Sequence, residues 1–297
     1  MSALDGKTVV LIAGQPKAGT TSLFHWLEHH PKIGAGKIKE LRFFLDSDYP
    51  LKSIARYDGN NLDSYAALFN HNDRPVLLDA SPDYMGCETP LNLPKLHQDT
   101  KAIFIIRNSV DRMKSAYRFF KSLGRIPKTM SFNDYVAKQN EEGVTSTTQV
   151  QYRALDHCRS EHYLQVWSDA YGDNLLILDF KSLKSEPQKV MDEVCKFIGI
   201  ESVHIQHAEQ KNKTQLNRAP KLFKFYTDIR RWFGQNTIRH PYIFKGLRPI
   251  GKVIKKFFFS AQLKEMPIEI SDHTLSIINA ATQSHLKSSP PMKHMNS

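Results

Sequence analysis

Residues 8–22 read TVVLIAGQPKAGTTS, an apolar run followed by Gly14-Gln15-Pro16-Lys17-Ala18-Gly19 and then by Thr20-Thr21-Ser22, which open a helical pattern. A short apolar run without alternation is the mark of a strand buried on both faces. Strand, glycine-rich loop and helix N-terminus in that order make an anion site, because free backbone N–H groups and the helix dipole converge there. Lys17 adds a cation to the same loop.

Three further runs have the same character, at 75–80 (PVLLDA), 101–107 (KAIFIIR) and 174–180 (NLLILDF). Helical patterns separate them at 20–29, 110–123, 160–171 and 187–198, the last opening with Pro187 and closing at Gly199. Buried strands alternating with helices imply an α/β fold, a P-loop-like parallel β-sheet flanked by helices, and place ligands outside the carboxyl ends of the strands. The spacing of Gly14 and Gly19 imitates a Walker A loop, but that motif needs lysine directly after the second glycine, where this chain has Thr20. A nucleotide-phosphate kinase would lose its contact to the β and γ phosphates by that change.

The loop Pro16-Lys17-Ala18-Gly19-Thr20-Thr21 resembles the Pro-Lys-x-Gly-Thr-Thr/Ser loop of the PAPS-dependent sulfotransferases, carbohydrate and glycan O-sulfotransferases of bacterial type among them. The resemblance implies the cofactor PAPS (3′-phosphoadenosine 5′-phosphosulfate) and the product PAP, with Lys17, Ala18, Gly19, Thr20, Thr21 and Ser22 at the 5′ end. It also implies a second site for the 3′-phosphate. Arg107 ends the third apolar run and Ser115 follows two turns into the next helix, in the order and at the distance the family shows. An arginine fork and a hydroxyl are suited to a phosphate. Lys211-Asn212-Lys213-Thr214 resembles the family's cofactor-closing loop, which makes Lys213 a further contact, although a solvated Lys/Asn turn reads as well there.

Residues 37–44 (KIKELRFF) resemble the Lys-Glu-x-His-Phe-Phe segment of the glycan O-sulfotransferases, in which the glutamate is the general base. Sulfuryl transfer to an alcohol needs such a group, because the hydroxyl is a poor nucleophile until its proton is being removed. Glu40 is that candidate, with Lys17 the second catalytic candidate as the group that neutralises the leaving phosphate; the resemblance calls for no metal. Arg42 stands at the histidine place and Leu45 follows Phe43-Phe44, with an acid only at Asp46. In Asp79-Ala80-Ser81-Pro82-Asp83-Tyr84, Ala80 occupies the lysine place of a Lys-Ser/Thr-Pro-x-Tyr segment. These departures point away from heparan sulfate and towards another carbohydrate, a glycolipid or a small hydroxyl-bearing acceptor.

The chain has 297 residues, 40% hydrophobic and 24% charged, with 41 Lys/Arg against 30 Asp/Glu, a formal charge of +11. That charge is local: residues 211–264 hold 14 Lys/Arg against the single acid Asp228, a net +13, which leaves −2 elsewhere. A core over 1–210 and a basic, aromatic segment over 211–297 follow, with a disordered polar tail from about 286. Within 221–233, Leu222, Phe225, Tyr226, Ile229, Trp232 and Phe233 share one side of a helical pattern opposite Lys221, Lys224, Asp228 and Arg231. Three uses are open for this segment: a core face, a lid over an anionic acceptor, or a contact with anionic lipid. No nucleic-acid recognition pattern accompanies the charge. No apolar run near the roughly 18 residues of a spanning helix occurs, the first residues lack a signal-peptide succession, and Cys87, Cys158 and Cys195 are too scattered for a disulfide framework. The expected location is the cytoplasm, with a peripheral position at the inner membrane face open. The rival functions are a P-loop kinase and a non-catalytic basic glycan- or membrane-binding protein.

Overall fold

A computed structural model describes residues 3–60, 62–205, 215–216, 261–262 and 267–283. In chain order the elements are β1 (Thr8–Gly14), α1 (Thr20–Leu27), β2 (Ile33–Ala35), α2 (Asp63–Ala66), β3 (Val76–Asp79), α3 (Leu93–Leu96), β4 (Thr100–Ile106), α4 (Ser109–Ser122), α5 (Phe132–Glu142), α6 (Ser160–Tyr171), β5 (Leu175–Asp179), α7 (Phe180–Ser185) and α8 (Pro187–Ile198). The two-residue strands β6 (Gln215–Leu216) and β7 (Ala261–Gln262) pair antiparallel, and α9 is Asp272–Gln283. Lys213, the amphipathic pattern at 221–233 and the tail from about 286 lie outside the described residues, as does most of 211–264.

The main sheet has the order β2-β3-β1-β4-β5, and every pairing in it is parallel. β1 is therefore central, with six of its seven residues buried, which is why its sequence is apolar without alternation. The four apolar runs become β1, β3, β4 and β5, and the four helical patterns become α1, α4, α6 and α8. β2 went unread because it has three residues, follows Pro31 and contains Gly34.

Two cores cover the two faces of the sheet. One packs Val10, Ile12, Ile103 and Ile105 against Leu23 and Leu27 of α1 and Val190, Met191 and Val194 of α8. The other packs Leu11, Leu77 and Phe104 against Phe43 and Phe44 from the loop after β2, Tyr65 of α2 and Trp167 of α6. A third cluster joins α4, α5 and α9 through Met113, Ala116, Tyr135, Val136, Ile277 and Ile278. Local signals agree with these elements: Asn108 caps α4 by accepting from the Asp111 amide at 3.1 Å, Ser131 and Asp134 form a capping box on α5, and Gly199 closes α8 at φ 87°.

Gly14 ends β1 against the ring of Phe104, and a Cβ there would stand 2.4 Å from its Cε1. The ring has no room to retreat, since Phe104 is fully buried and lies edge-on to Trp167 with centroids 5.0 Å apart. Gly14→Ala should lower stability by about 1–3 kcal/mol in chemical denaturation, and Phe104→Leu in the same chain should recover part of the loss. An unchanged midpoint for Gly14→Ala would show that the strand end yields instead.

Candidate active site

The carboxyl ends of β1, β3, β4 and β5 open onto one edge of the sheet, and the residues singled out in the sequence gather there. After β1, Lys17 takes a left-handed backbone at φ 71° and Gly19 follows at φ 94° as the N-cap of α1. No side chain caps that helix. The first-turn amides of an α-helix have no acceptor within its regular ladder; the Ser22 amide turns back to the Gly19 carbonyl at 2.9 Å, and those of Thr20 and Thr21 remain, with the positive dipole end, for an anion. Ala18 and Thr20 are buried, and Thr21 and Ser22 half-buried. Gly19 has a second reason to be glycine, because a Cβ would meet the Phe180 ring at 3.1 Å.

The Lys17 ammonium lies 3.7 Å from the centroid of the Phe119 ring on α4. Burial pushes its pKa down to about 8; Glu40 opposes that fall, and Lys39 and Arg107 add to it. Lys17 is thus a cation whose charge is weakly solvated and free to respond to an incoming anion.

Arg107 leaves the end of β4 and donates from Nη1 to the Lys17 carbonyl at 3.0 Å. Its guanidinium stacks on Phe180, 4.4 Å from the ring centroid, and its buried Nε has no partner. Gln15, fully buried, locks the two loops: its Oε1 accepts from the Arg107 amide at 3.3 Å, its backbone N–H donates to Ile105 at 3.1 Å, and its Nε2 donates to the Ser160 hydroxyl at 2.6 Å. A stacked guanidinium with an idle N–H is a prepared anion contact. Ser115 sits half-buried on α4, and its hydroxyl has no hydrogen-bond partner, Arg107 included, among the described residues.

Glu40 completes the group. Its carboxylate is held from both sides, by Lys39 Nζ at 2.9 Å and Arg42 Nη2 at 2.5 Å, and its side chain is 29% exposed. Burial alone would raise its pKa, but the two cations and their hydrogen bonds outweigh burial and leave it below the usual carboxylate value. Glu40 is therefore ionised at neutral pH and able to accept a proton. Glu40 and Arg42 both have left-handed backbone, at φ 67° and 60°. Asp83 lies near this pair; burial raises its pKa, Glu40 raises it further, and Arg42 opposes.

The structure thus brings Lys17, Gly19, Thr20, Arg107 and Glu40 to one sheet edge, with Ser115 on the adjoining helix, while Lys213 falls outside the described residues. Sequence reasoning missed Phe119, Gln15, Phe180 and Lys39. Phe119 follows Ser115 by four residues, the spacing that puts both on one helix face, and this was its available signal. Arg42 read as a departure from a family pattern and proves to be a direct partner of Glu40. Asp46 is structural, accepting from the Glu88 and Thr89 amides.

Lys17 should titrate near pH 8 in competitive chemical labelling, well below the surface lysines. Glu40→Gln removes the group that holds this pKa up, so the Lys17 titration should move to lower pH. A titration unmoved by Glu40→Gln would separate the two residues electrostatically.

A family model described as the sulfotransferase domain matches residues 7–233. Among curated proteins, the bifunctional heparan sulfate N-deacetylase/N-sulfotransferase 1 of Homo sapiens is 28% identical over 205 residues, 64% of this chain and 22% of that protein. The bifunctional heparan sulfate N-deacetylase/N-sulfotransferase 4 of Mus musculus is 29% identical over 207 residues, 67% of this chain and 23% of that protein. The chain thus spans about a fifth of the length of these relatives. In fold it is similar to the crystal structure of a sulfotransferase from Alicyclobacillus acidocaldarius, with a TM-score of 0.58 at 24% identity, covering 75% of this chain and 92% of that one. The matched region contains both strand-end loops and the Glu40 segment, and the chain belongs to the sulfotransferase domain family.

Proposed function

We propose that the protein transfers the sulfuryl group of PAPS to a hydroxyl of a carbohydrate, glycolipid or small-molecule acceptor and releases PAP. The observation that carries this reading is the junction of two anion sites: the uncapped N-terminus of α1 with Lys17, and Arg107 with its idle Nε, joined by the 3.0 Å bond between them. A cofactor with phosphates at both ends suits such a pair. Lys17 and the first turn of α1 would hold the 5′ end, and Arg107 with Ser115 the 3′-phosphate; Lys213 is proposed as a further contact. Bound PAPS supplies the sulfuryl group and a phosphate leaving group.

The protein's own residues then have distinct tasks. Glu40 takes the acceptor's proton as the hydroxyl oxygen bonds to sulfur. The Lys17 ammonium neutralises charge appearing on the oxygen that leaves sulfur, and the α1 amides do the same without reorganising. Phe119 restrains the ammonium and limits its access to water. Heparan sulfate stands in the names of the relatives, which supports a carbohydrate acceptor. Arg42 and Ala80, at places where the glycan O-sulfotransferase pattern has histidine and lysine, support one other than heparan sulfate. The location proposed with it is the cytoplasm or a peripheral place at the inner membrane face, supported by three scattered cysteines and by the +13 charge of 211–264, which suits an anionic acceptor or anionic lipid.

Calorimetry with PAP should show binding that Arg107→Ala weakens by about 1.5–3 kcal/mol. Affinity should be full below pH 8 and fall as pH rises above it, because the bound anion raises the Lys17 pKa and the neutral amine gives it no attraction. With radiolabelled PAPS and a panel of desulfated glycosaminoglycans, galactolipid and p-nitrophenol, Glu40→Gln should cut transfer by about 10²–10⁴-fold and leave PAP affinity nearly intact. Wild-type protein that does not bind PAP would end this reading, and undiminished transfer by Glu40→Gln would remove Glu40 from its role.

A further inference from the structure

Beneath the Glu40 loop lies a buried carboxylate that the reaction itself does not use. Asp79 is the last residue of β3 and 0% exposed. Its Oδ1 accepts from the Ser81 hydroxyl at 2.7 Å, and its Oδ2 from the Tyr84 hydroxyl at 2.7 Å and the Tyr65 hydroxyl at 3.4 Å. It also accepts a backbone hydrogen bond from Leu41. The two short-bonded hydroxyls are themselves acceptors: Ser81 Oγ takes the Arg42 amide at 3.0 Å, and the Tyr84 oxygen takes the Phe44 amide at 3.2 Å. One carboxylate therefore ties down three amides of residues 41–44, one directly and two through a single hydroxyl each.

That segment is where the backbone is least able to hold itself. Glu40 and Arg42 are both left-handed and neither is glycine, a conformation costing about 1 kcal/mol or more per residue unless the surroundings over-determine it. The polarity of the hub is also fixed. Each hydroxyl has one proton, given to Asp79, and must offer a lone pair to the backbone, so Asp79 must be acceptor-only. Burial pushes its pKa up to about 6 against the hydrogen bonds that lower it, which leaves the carboxylate ionised at neutral pH.

We propose that Asp79 is a positioning residue for Glu40: through Leu41, Ser81 and Tyr84 it fixes the left-handed backbone of Glu40 and Arg42, and so sets where the Glu40 carboxylate stands. As a statement about catalysis this rests on the sulfotransferase reading above. Asp79→Asn is the direct probe. It keeps the shape and reverses the polarity of one oxygen, so that one hydroxyl would receive two N–H groups and its own proton would lose its acceptor.

The Lys17 titration reports the place of Glu40 without any acceptor, since Glu40 holds that pKa up and Asp79 is not among the groups acting on it. Competitive labelling of Lys17 should show a shift to lower pH in Asp79→Asn, in the direction of the Glu40→Gln shift. Asp79→Asn should add nothing in a chain that already carries Glu40→Gln. Hydrogen exchange should quicken at Leu41, Arg42 and Phe44 while β1 and β4 amides stay protected. On an acceptor found with labelled PAPS, kcat should fall by about 10²-fold with the KM for PAPS unchanged.

An unmoved Lys17 titration in a folded Asp79→Asn protein would overturn the proposal, as would a shift of equal size with Glu40→Gln already present. If Asp79→Asn does not fold, Ser81→Ala decides: it cuts only the Arg42 link, and a smaller Lys17 shift in the same direction supports the role while none overturns it. A wild type that fails to bind PAP would defeat the sulfotransferase reading alone, because the titration still shows whether Asp79 places Glu40.

Discussion

Parallel pairing around β1 is the constraint from which the site follows. With β3 on one side of β1 and β4 on the other, all running the same way, the carboxyl ends of the strands must open on one edge. Each strand end then supplies a different piece. β1 delivers Gly14 and the Lys17 loop, β3 delivers Asp79, β4 delivers Arg107, and β5 delivers Phe180, whose ring lies under the Arg107 guanidinium and against Gly19. An antiparallel neighbour on either side of β1 would send one of these groups to the opposite edge. The chemistry depends on a hydrogen-bond pattern made by residues that take no part in it.

The same edge carries the least comfortable backbone among the described residues. Of four non-glycine residues at positive φ, three are Lys17, Glu40 and Arg42. Such strain persists where neighbours leave the chain no alternative, and here the neighbours are aromatic. Phe43 and Phe44 follow Arg42 directly, are fully buried, and pack on Tyr65 with centroids 5.0 and 4.7 Å away. Two large side chains driven into the core anchor one end of the Glu40 turn, and the Asp79 hub fixes the amides between. Lys17 is held by comparable means, its carbonyl on Arg107 and its ammonium over Phe119.

What the sequence disclosed and what it concealed divide along a physical line. Central strands, the glycine loop and helix ends are local features, set by periodicity, backbone propensity and capping within a few residues. They were legible at β1, β3, β4, β5, α1 and α8. The placement of Arg107 and Glu40 beside Lys17 was legible too, because a family resemblance stores three-dimensional information that composition does not. The Asp79 hub was not: Ser81 and Tyr84 stood in a quoted segment, yet their task is to receive amides 39 and 40 residues away. β2, three residues long, gave no period to count. The Lys17–Phe119 contact joins a loop to a helix across 102 positions, and no local rule announces it.

Charge shows the same separation between amount and placement. Residues 211–264 carry +13 and the remainder −2, so the part of the chain that holds the site has no general excess of cations. It needs none. Lys39 and Arg42 are spent on Glu40, which leaves Lys17 and Arg107 as the cations that the proposed function turns to an anion, one with its charge weakly solvated and the other with an idle buried N–H. A charge as desolvated as that of Lys17 is little screened by salt, whereas exposed charges lose reach beyond a Debye length of about 8 Å at physiological ionic strength. Anion binding at the strand ends and any attraction exerted by the basic segment are thus separate properties with different salt dependence. The surplus charge therefore concerns what approaches the protein, and the two placed cations concern what it holds.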